Sequence, residues 1–277
     1  MSANFIIIDD KEDVVKHLNT QDTNSRTEFL IETYNVGYHI NKGTSLHKTL
    51  EIVNAAVPSQ LFLTVKSARF SITDEEISKC AEVVSRRKLS IFVHTPYILN
   101  LSNTDEYIVE SLQKHLRVCS AMGFKGCVVH VGKQTKKEYS VALSNMKNNI
   151  LESIKSATPE CPLLLETPAG QGTELLTKVE DFMNFMLEIN DERLGICVDT
   201  CHIFASGYMP SVYINHILEN EALTKMLKLF HYNDSKSDFG SCLDRHDLLC
   251  QGKMPMEELV EVACVGLNYN IPLVIEY

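Results

Sequence analysis

Short apolar runs recur along this chain, all but the last trailed by a polar loop and then a segment with helical periodicity. Eight such runs fall at 34–40, 60–66, 89–94, 126–131, 162–166, 194–199, 227–233 and 272–276. Near-continuous apolarity over so few residues suits strands buried on both faces of a parallel sheet, since an exposed face would impose alternation. Amphipathic segments lie between them at 45–53, 73–84, 105–122, 140–156, 179–189, 212–225 and 256–265. The second opens with Thr73 and Glu76 at the spacing of a capping box. Strands alternating with helices predict an α/β fold, and eight units predict a closed (β/α)₈ TIM barrel. Residues 1–33 precede the first unit and read as an N-terminal extension with one short helix near 10–18; residues 34–277 form the barrel domain.

The chemistry gathers at one end of these runs. His94 ends the third, His130 lies near the end of the fourth, Glu166 ends the fifth and Asp199 the sixth. His231 lies near the end of the seventh and Glu276 ends the eighth. In a barrel the carboxyl ends of all strands meet on one face, where active sites sit, so six groups from six strands would surround one cavity. Two tight spacings add to them: Asp199 with His202, just past a strand, and Asp244 with His246, in the loop after the seventh run. A single histidine at a strand end is usually a hydrogen-bonded core residue, and a single aspartate there usually caps the next helix. The coincidence is what counts, because four carboxylates in one pocket repel strongly unless cations neutralise them. Nine nitrogen and oxygen donors suit zinc, and more than one ion. His17, His47, His115 and His216 lack this context, while His39 ends the first run and could join the floor of the pocket.

Composition narrows the class. With 44% hydrophobic and 22% charged residues, the chain reads as globular. No apolar run approaches the roughly 20 residues of a membrane span, and the start lacks the basic region of a secretory signal. Nine cysteines without a CxxC pair point to free thiols in a reducing compartment, the cytoplasm or another such as a nucleus or virus particle. A formal charge of −10 argues against a generic nucleic-acid binder and fits a protein that collects cations.

At the level of motifs the chain resembles the endonuclease IV family of zinc-dependent abasic-site endonucleases. The carrying segments are His94-Thr95-Pro96-Tyr97, Val129-His130-Val131-Gly132, Glu166-Thr167-Pro168-Ala169-Gly170-Gln171-Gly172, the run from Gly195 to Tyr208 with Asp199-Thr200-Cys201-His202 at its centre, His231-Tyr232-Asn233-Asp234-Ser235-Lys236, Asp244-Arg245-His246, and Leu273 to Glu276. The resemblance implies three zinc ions: one held by His94, His130 and Glu166; a second sharing Glu166 and adding Asp199, His231 and Glu276; a third held by His202, Asp244 and His246. It implies hydrolysis of double-stranded DNA 5′ to an abasic site, leaving a 3′-hydroxyl, and trimming of blocked 3′ ends. Glu166, as the bridge, and Glu276, which would orient or deprotonate the nucleophile, are the expected catalytic residues. Tyr97 and Arg69 are the expected DNA-binding residues, filling space left by the missing base. The implied protein is a monomer with no membrane partner.

Two alternatives accompany this reading. A metal-dependent sugar isomerase or epimerase shares the barrel but would use fewer histidines and a lysine in the cavity. A truncated, non-catalytic DNA-binding relative is the other. Members of the family this chain resembles continue past the last glutamate into an eighth helix; with Tyr277 directly after Glu276, that helix is expected to be missing here. Val14, Val15 and Leu18 share one helical face, so residues 10–33 are expected to cover the outside of the first and eighth strands, with residues 1–9 a disordered tail.

Overall fold

A computed structural model of the chain describes residues 11–64 and 70–276. Seven strands come first: β1 (Gly37–Ile40), β2 (Ser59–Phe62), β3 (Ile91–His94), β4 (Gly126–His130), β5 (Leu163–Glu166), β6 (Leu194–Asp199) and β7 (Leu227–His231). A two-stranded hairpin of β8 (Asp234–Ser235) and β9 (His246–Asp247) then stands apart before the last strand, β10 (Leu273–Ile275). β10 pairs in parallel with both β7 and β1, so β1 to β7 and β10 close into an eight-stranded parallel TIM barrel, as expected.

Alternation along each strand sorts its residues between two cores. Phe92, Val128, Leu164, Cys197, Leu229 and Val274 form a buried cluster of their own, the plug inside the barrel. Their sequence neighbours, such as Val93, Val129, Leu165, Val198, Phe230 and Leu273, belong to the larger core shared with the surrounding helices. These strands are apolar on both faces, which is why their sequences run nearly unbroken rather than alternating.

The covering helices are α3 (Leu46–Ile52), α4 (Asp74–Arg87), α5 (Glu106–Ala121), α6 (Tyr139–Ser153), α7 (Val179–Ile189), α9 (Pro210–Leu218), α10 (Glu221–Met226) and α11 (Met256–Asn268); a short α8 (Thr200–Ser206) follows β6 directly. The capping signal at α4 is realised, with the Thr73 side chain accepting from the Glu76 N–H and Lys88 closing the helix in a left-handed conformation. The segment 212–225, expected as one helix, is two. Asn220 breaks it by turning its side chain to the N–H groups of Ala222 and Leu223, restarting the helix as α10. The first run begins at Gly37 rather than residue 34, because Asn35 takes φ +52° and Tyr34 belongs to the end of the preceding helix.

That preceding helix corrects the reading of the extension. Two helices precede β1, α1 (Lys11–Asn19) and α2 (Thr23–Thr33). The second escapes the sequence pattern because its polar first half, Thr23 to Thr27, hides the amphipathic periodicity; Asp22 caps it by accepting from Asn24 and Ser25. The main partner of α1 is α11, with Lys11 Nζ 2.6 Å from Glu261, rather than the outer faces of β1 and β10 themselves. The reason is that α11 already lies on β10: a Cβ added at Gly266 would stand 3.1 Å from Leu273. The second helix is anchored by its Thr27 hydroxyl, which donates to the Leu249 carbonyl, and Tyr34, which follows it, meets Cys264 of α11 at 3.5 Å. Residues 1–9, Arg69 and Tyr277 lie outside the described residues. Among the described residues, no helix is long and apolar enough to cross a membrane.

Leu18 of α1 and Leu30 of α2 are fully buried. Leu18→Ala and Leu30→Ala should each lower the unfolding free energy by ~2–5 kcal/mol, the range for deleting a buried leucine side chain. Urea unfolding of the two variants measures this; unchanged midpoints in both would show that the extension contributes nothing to the core.

Candidate metal centre

Each barrel strand from β3 onward delivers a donor by the same local rule. The residue two beyond the inward-facing apolar plug also faces inward, one layer higher. Phe92 is thus followed by His94, Val128 by His130, Leu164 by Glu166, Cys197 by Asp199, Leu229 by His231 and Val274 by Glu276. In-register pairing sets neighbours side by side, His130 opposite Glu166 and Asp199 opposite His231. The remaining donors come from beyond the strands: His202 from the first turn of α8, and Asp244 and His246 from the loop and second strand of the β8–β9 hairpin.

All nine expected donors are brought together. Donor atoms of His94, His130 and Glu166 fall within 4.8 Å of one another, as do those of Glu166, Asp199, His231 and Glu276, and those of His202, Asp244 and His246. Glu166 belongs to two groups because its oxygens face opposite ways. Oε2 is 3.1 Å from Nε2 of both His94 and His130, whereas Oε1 is 2.9 Å from Nδ1 of His231. Asp199 also serves twice. Its Oδ1 accepts from the His202 N–H and caps α8, while Oδ2 accepts from Asn233 and lies 3.5 Å from His246 Nε2. Helix cap and donor, alternatives at the sequence level, coexist in one carboxylate.

Backbone carbonyls aim the imidazoles. Nδ1–H donates to the Thr95 carbonyl in His94, to that of Thr167 in His202 and to that of Glu276 in His246. With Nδ1 occupied, each presents Nε2 to the cavity, the arrangement that fixes ligating histidines. The buried Nε2 atoms of His202 and His246 stand 3.3 and 3.1 Å from the two oxygens of Asp244. Two imidazole nitrogens and a carboxylate converging this closely form a donor set that suits a cation.

The electrostatics agree. Burial works against charge in such groups, and opposite charges packed beside them counter it. Burial pushes the Glu166 carboxyl up, yet His130 and His231 hold it well below the usual range. Burial lowers His202 and His246, but Asp199 and Asp244 together with the neighbouring glutamates outweigh it, raising both, His246 to about 9. A field that favours protons on these nitrogens favours a divalent cation in their place, with proton release on binding.

The rim is more open. Tyr97 is 59% exposed, its ring 5.2 Å from those of both His94 and His130 and 5.4 Å from Phe62. Its loop closes against β4 because residue 132 is glycine: a Cβ there would lie 2.1 Å from Ser102 Oγ. His39 does reach the floor, 3.9 Å from Glu276 Oε1, with burial lowering it to about 4. Other histidines serve elsewhere; His47 is bound to Glu76, and His115 is buried in α5 against Phe70.

Two participants escaped sequence reasoning, Gln60 and Asn233. Gln60 is fully buried and bonds both Glu276 and His231; Asn233 donates to Asp199 and accepts from the Glu276 N–H. The one signal for Gln60 is a lone amide at the head of an apolar run.

The model of the xylose isomerase-like TIM barrel family matches residues 48–277. A probable endonuclease 4 of Mycoplasma mobile is 35% identical over 192 residues, covering 68% of each chain. One from Symbiobacterium thermophilum is 32% identical over 214 residues, covering 74% of this chain and 78% of its own. The crystal structure of endonuclease IV from Thermus thermophilus superposes with a TM-score of 0.75 at 23% identity, covering 87% of this chain and 91% of that one.

Donor groups this buried should couple cation binding to folding. Protein stripped with a chelator should melt at a lower temperature than the same protein with added zinc. The stabilisation should reach about 2.7 kcal/mol per site at a free ion concentration a hundred times Kd. Coincident melting curves with and without zinc would reject ion binding at these groups.

Proposed function

The chain belongs to the endonuclease IV family of xylose isomerase-like TIM barrels, and on that premise we propose that it hydrolyses double-stranded DNA on the 5′ side of abasic sites, leaving a 3′-hydroxyl, and trims blocked 3′ ends. The observation carrying this reading is the shared carboxylate of Glu166, whose two oxygens serve two donor groups. His94, His130 and Glu166 would hold one zinc ion; Glu166, Asp199, His231 and Glu276 a second; His202, Asp244 and His246 a third. When bound, such ions supply Lewis acidity toward a phosphodiester, making a water nucleophile available near neutral pH and offsetting charge on the leaving oxygen.

The protein's own groups do the rest. Glu166 sets the spacing of two donor groups across one scissile phosphate. Glu276, at the end of the closing strand, helps to orient or deprotonate the attacking water. Exposed Lys136, Lys236, Arg245 and Lys253 sit in loops on the carboxyl side of the barrel and give the backbone of DNA cationic contacts despite the formal charge of −10. Tyr97, exposed above His94 and His130, fills the space of the missing base; Arg69 is proposed to assist it. A sugar isomerase of the same barrel is disfavoured by the third donor group, and among the described residues no lysine makes an ion pair with any of the nine donors.

Glu166→Gln should cut incision of an abasic duplex by roughly 10³-fold or more, since both neighbouring groups lose their shared charge. Elemental analysis of wild-type protein should find more than two zinc ions per chain. Near-normal cleavage by the variant, or folded protein with at most one ion, would rule out this mechanism.

Tyr97→Ala should weaken binding to an abasic duplex by about 1–3 kcal/mol, the scale of one aromatic contact with a nucleic acid. Zinc content should stay at the wild-type value, since the phenol is not a donor. Unaltered affinity in a gel-shift or anisotropy titration would return Tyr97 to the status of an ordinary surface residue.

A further inference from the structure

Three of the site's histidines are aimed by backbone carbonyls, but His231 is not. Its Nε2–H donates to the side-chain oxygen of Gln60 at 2.8 Å, and Nδ1 is the nitrogen that faces Glu166 and Glu276, at 2.9 and 3.0 Å. The same carboxamide donates from its nitrogen to Glu276 Oε1 at 2.6 Å, and that nitrogen also lies 3.4 Å from His39 Nδ1. The amide's orientation is fixed, because an ionised carboxylate can only accept. Glu276 Oε1 is therefore engaged and Oε2 is the oxygen left facing His231.

The geometry of this contact is unusual for a strand residue. β2 and β7 are not neighbours in the barrel; β1 and β10 stand between them. Gln60 reaches His231 across the interior, at full burial. We propose that Gln60 is the positioning residue of the central donor group, its single carboxamide setting His231 to present Nδ1 and Glu276 to present Oε2.

Glutamine suits this task on three grounds. It carries a donor and an acceptor on one planar group, which the two partners require in opposite senses. It has no charge, so it leaves the electrostatic balance of the group unchanged. It is long enough to span the barrel mouth where a backbone carbonyl is out of reach. An apolar residue there would strand a buried N–H on His231 and free Glu276 to rotate, and outer partners of ligating side chains govern metal affinity.

The inference rests on the metal-binding reading above, and its test separates the two. Zinc-loaded wild-type protein and Gln60→Met are exposed to graded chelator, and the zinc retained is counted by elemental analysis. The variant should lose one class of ion at chelator concentrations about 10- to 100-fold lower than wild type, with the remaining ions released as before. In wild-type protein, ¹⁵N spectra of the histidines should show His231 as the Nε2–H tautomer, with His94, His202 and His246 as Nδ1–H; this measurement stands even should the variant not fold. Identical release from both proteins would overturn the proposal while leaving the metal sites intact. Simultaneous loss of every ion, or a His231 Nδ1–H, would overturn it as well. Wild-type protein without zinc would defeat the metal reading and this proposal with it.

Discussion

Three carboxylates, Glu166, Asp199 and Glu276, lie almost wholly out of solvent in one barrel mouth, and much of the surrounding structure answers to that fact. Like charges at such depth cannot persist without compensation, since water is not there to screen them. Five imidazoles stand within hydrogen-bonding or ion-pair distance of them. The strands, the hairpin and the first turn of α8 can be seen as the means of bringing that compensation to one place.

The scaffold and the site meet in the alternation of the strands. One layer of apolar side chains, from Phe92 to Val274, closes the barrel interior, and the layer two residues on is ionisable throughout. The lower layer excludes water from beneath, which strengthens every interaction in the layer above it. Outside the barrel the same strands are apolar again and pack on helices. Rigidity in the donors thus derives from ordinary hydrophobic burial directly below and around them.

The barrel was legible because each buried strand announces itself as an apolar run, and the six strand-end donors because each ends or nearly ends such a run. His202, Asp244 and His246 were legible from close spacing and from motif resemblance, although neither α8 nor the β8–β9 hairpin was foreseen. What escaped was of another kind. Gln60 and Asn233 are recognisable only by partners far away in sequence, Glu276 and His231 for the first, Asp199 and Glu276 for the second. Propensity also misled locally: the polar half of α2 concealed a helix whose other half carries the fully buried Leu30, and Asn220 divided an otherwise plausible long helix by bonding to its own downstream backbone.

The strand that closes the barrel is also one that carries a donor. β10 joins β7 and β1, elements separated from each other by most of the chain, and Glu276 stands at its end. Such a closure is entropically late in folding, because the longest loop must be drawn shut before its contacts are gained. The central donor group therefore has no existence in a partly folded chain that has not yet docked this strand. An ion captured there would act as a latch on the seam, slowing the fraying of β10 from its neighbours. Exchange of the seam's amides and exchange of the ion would then be two views of one opening event.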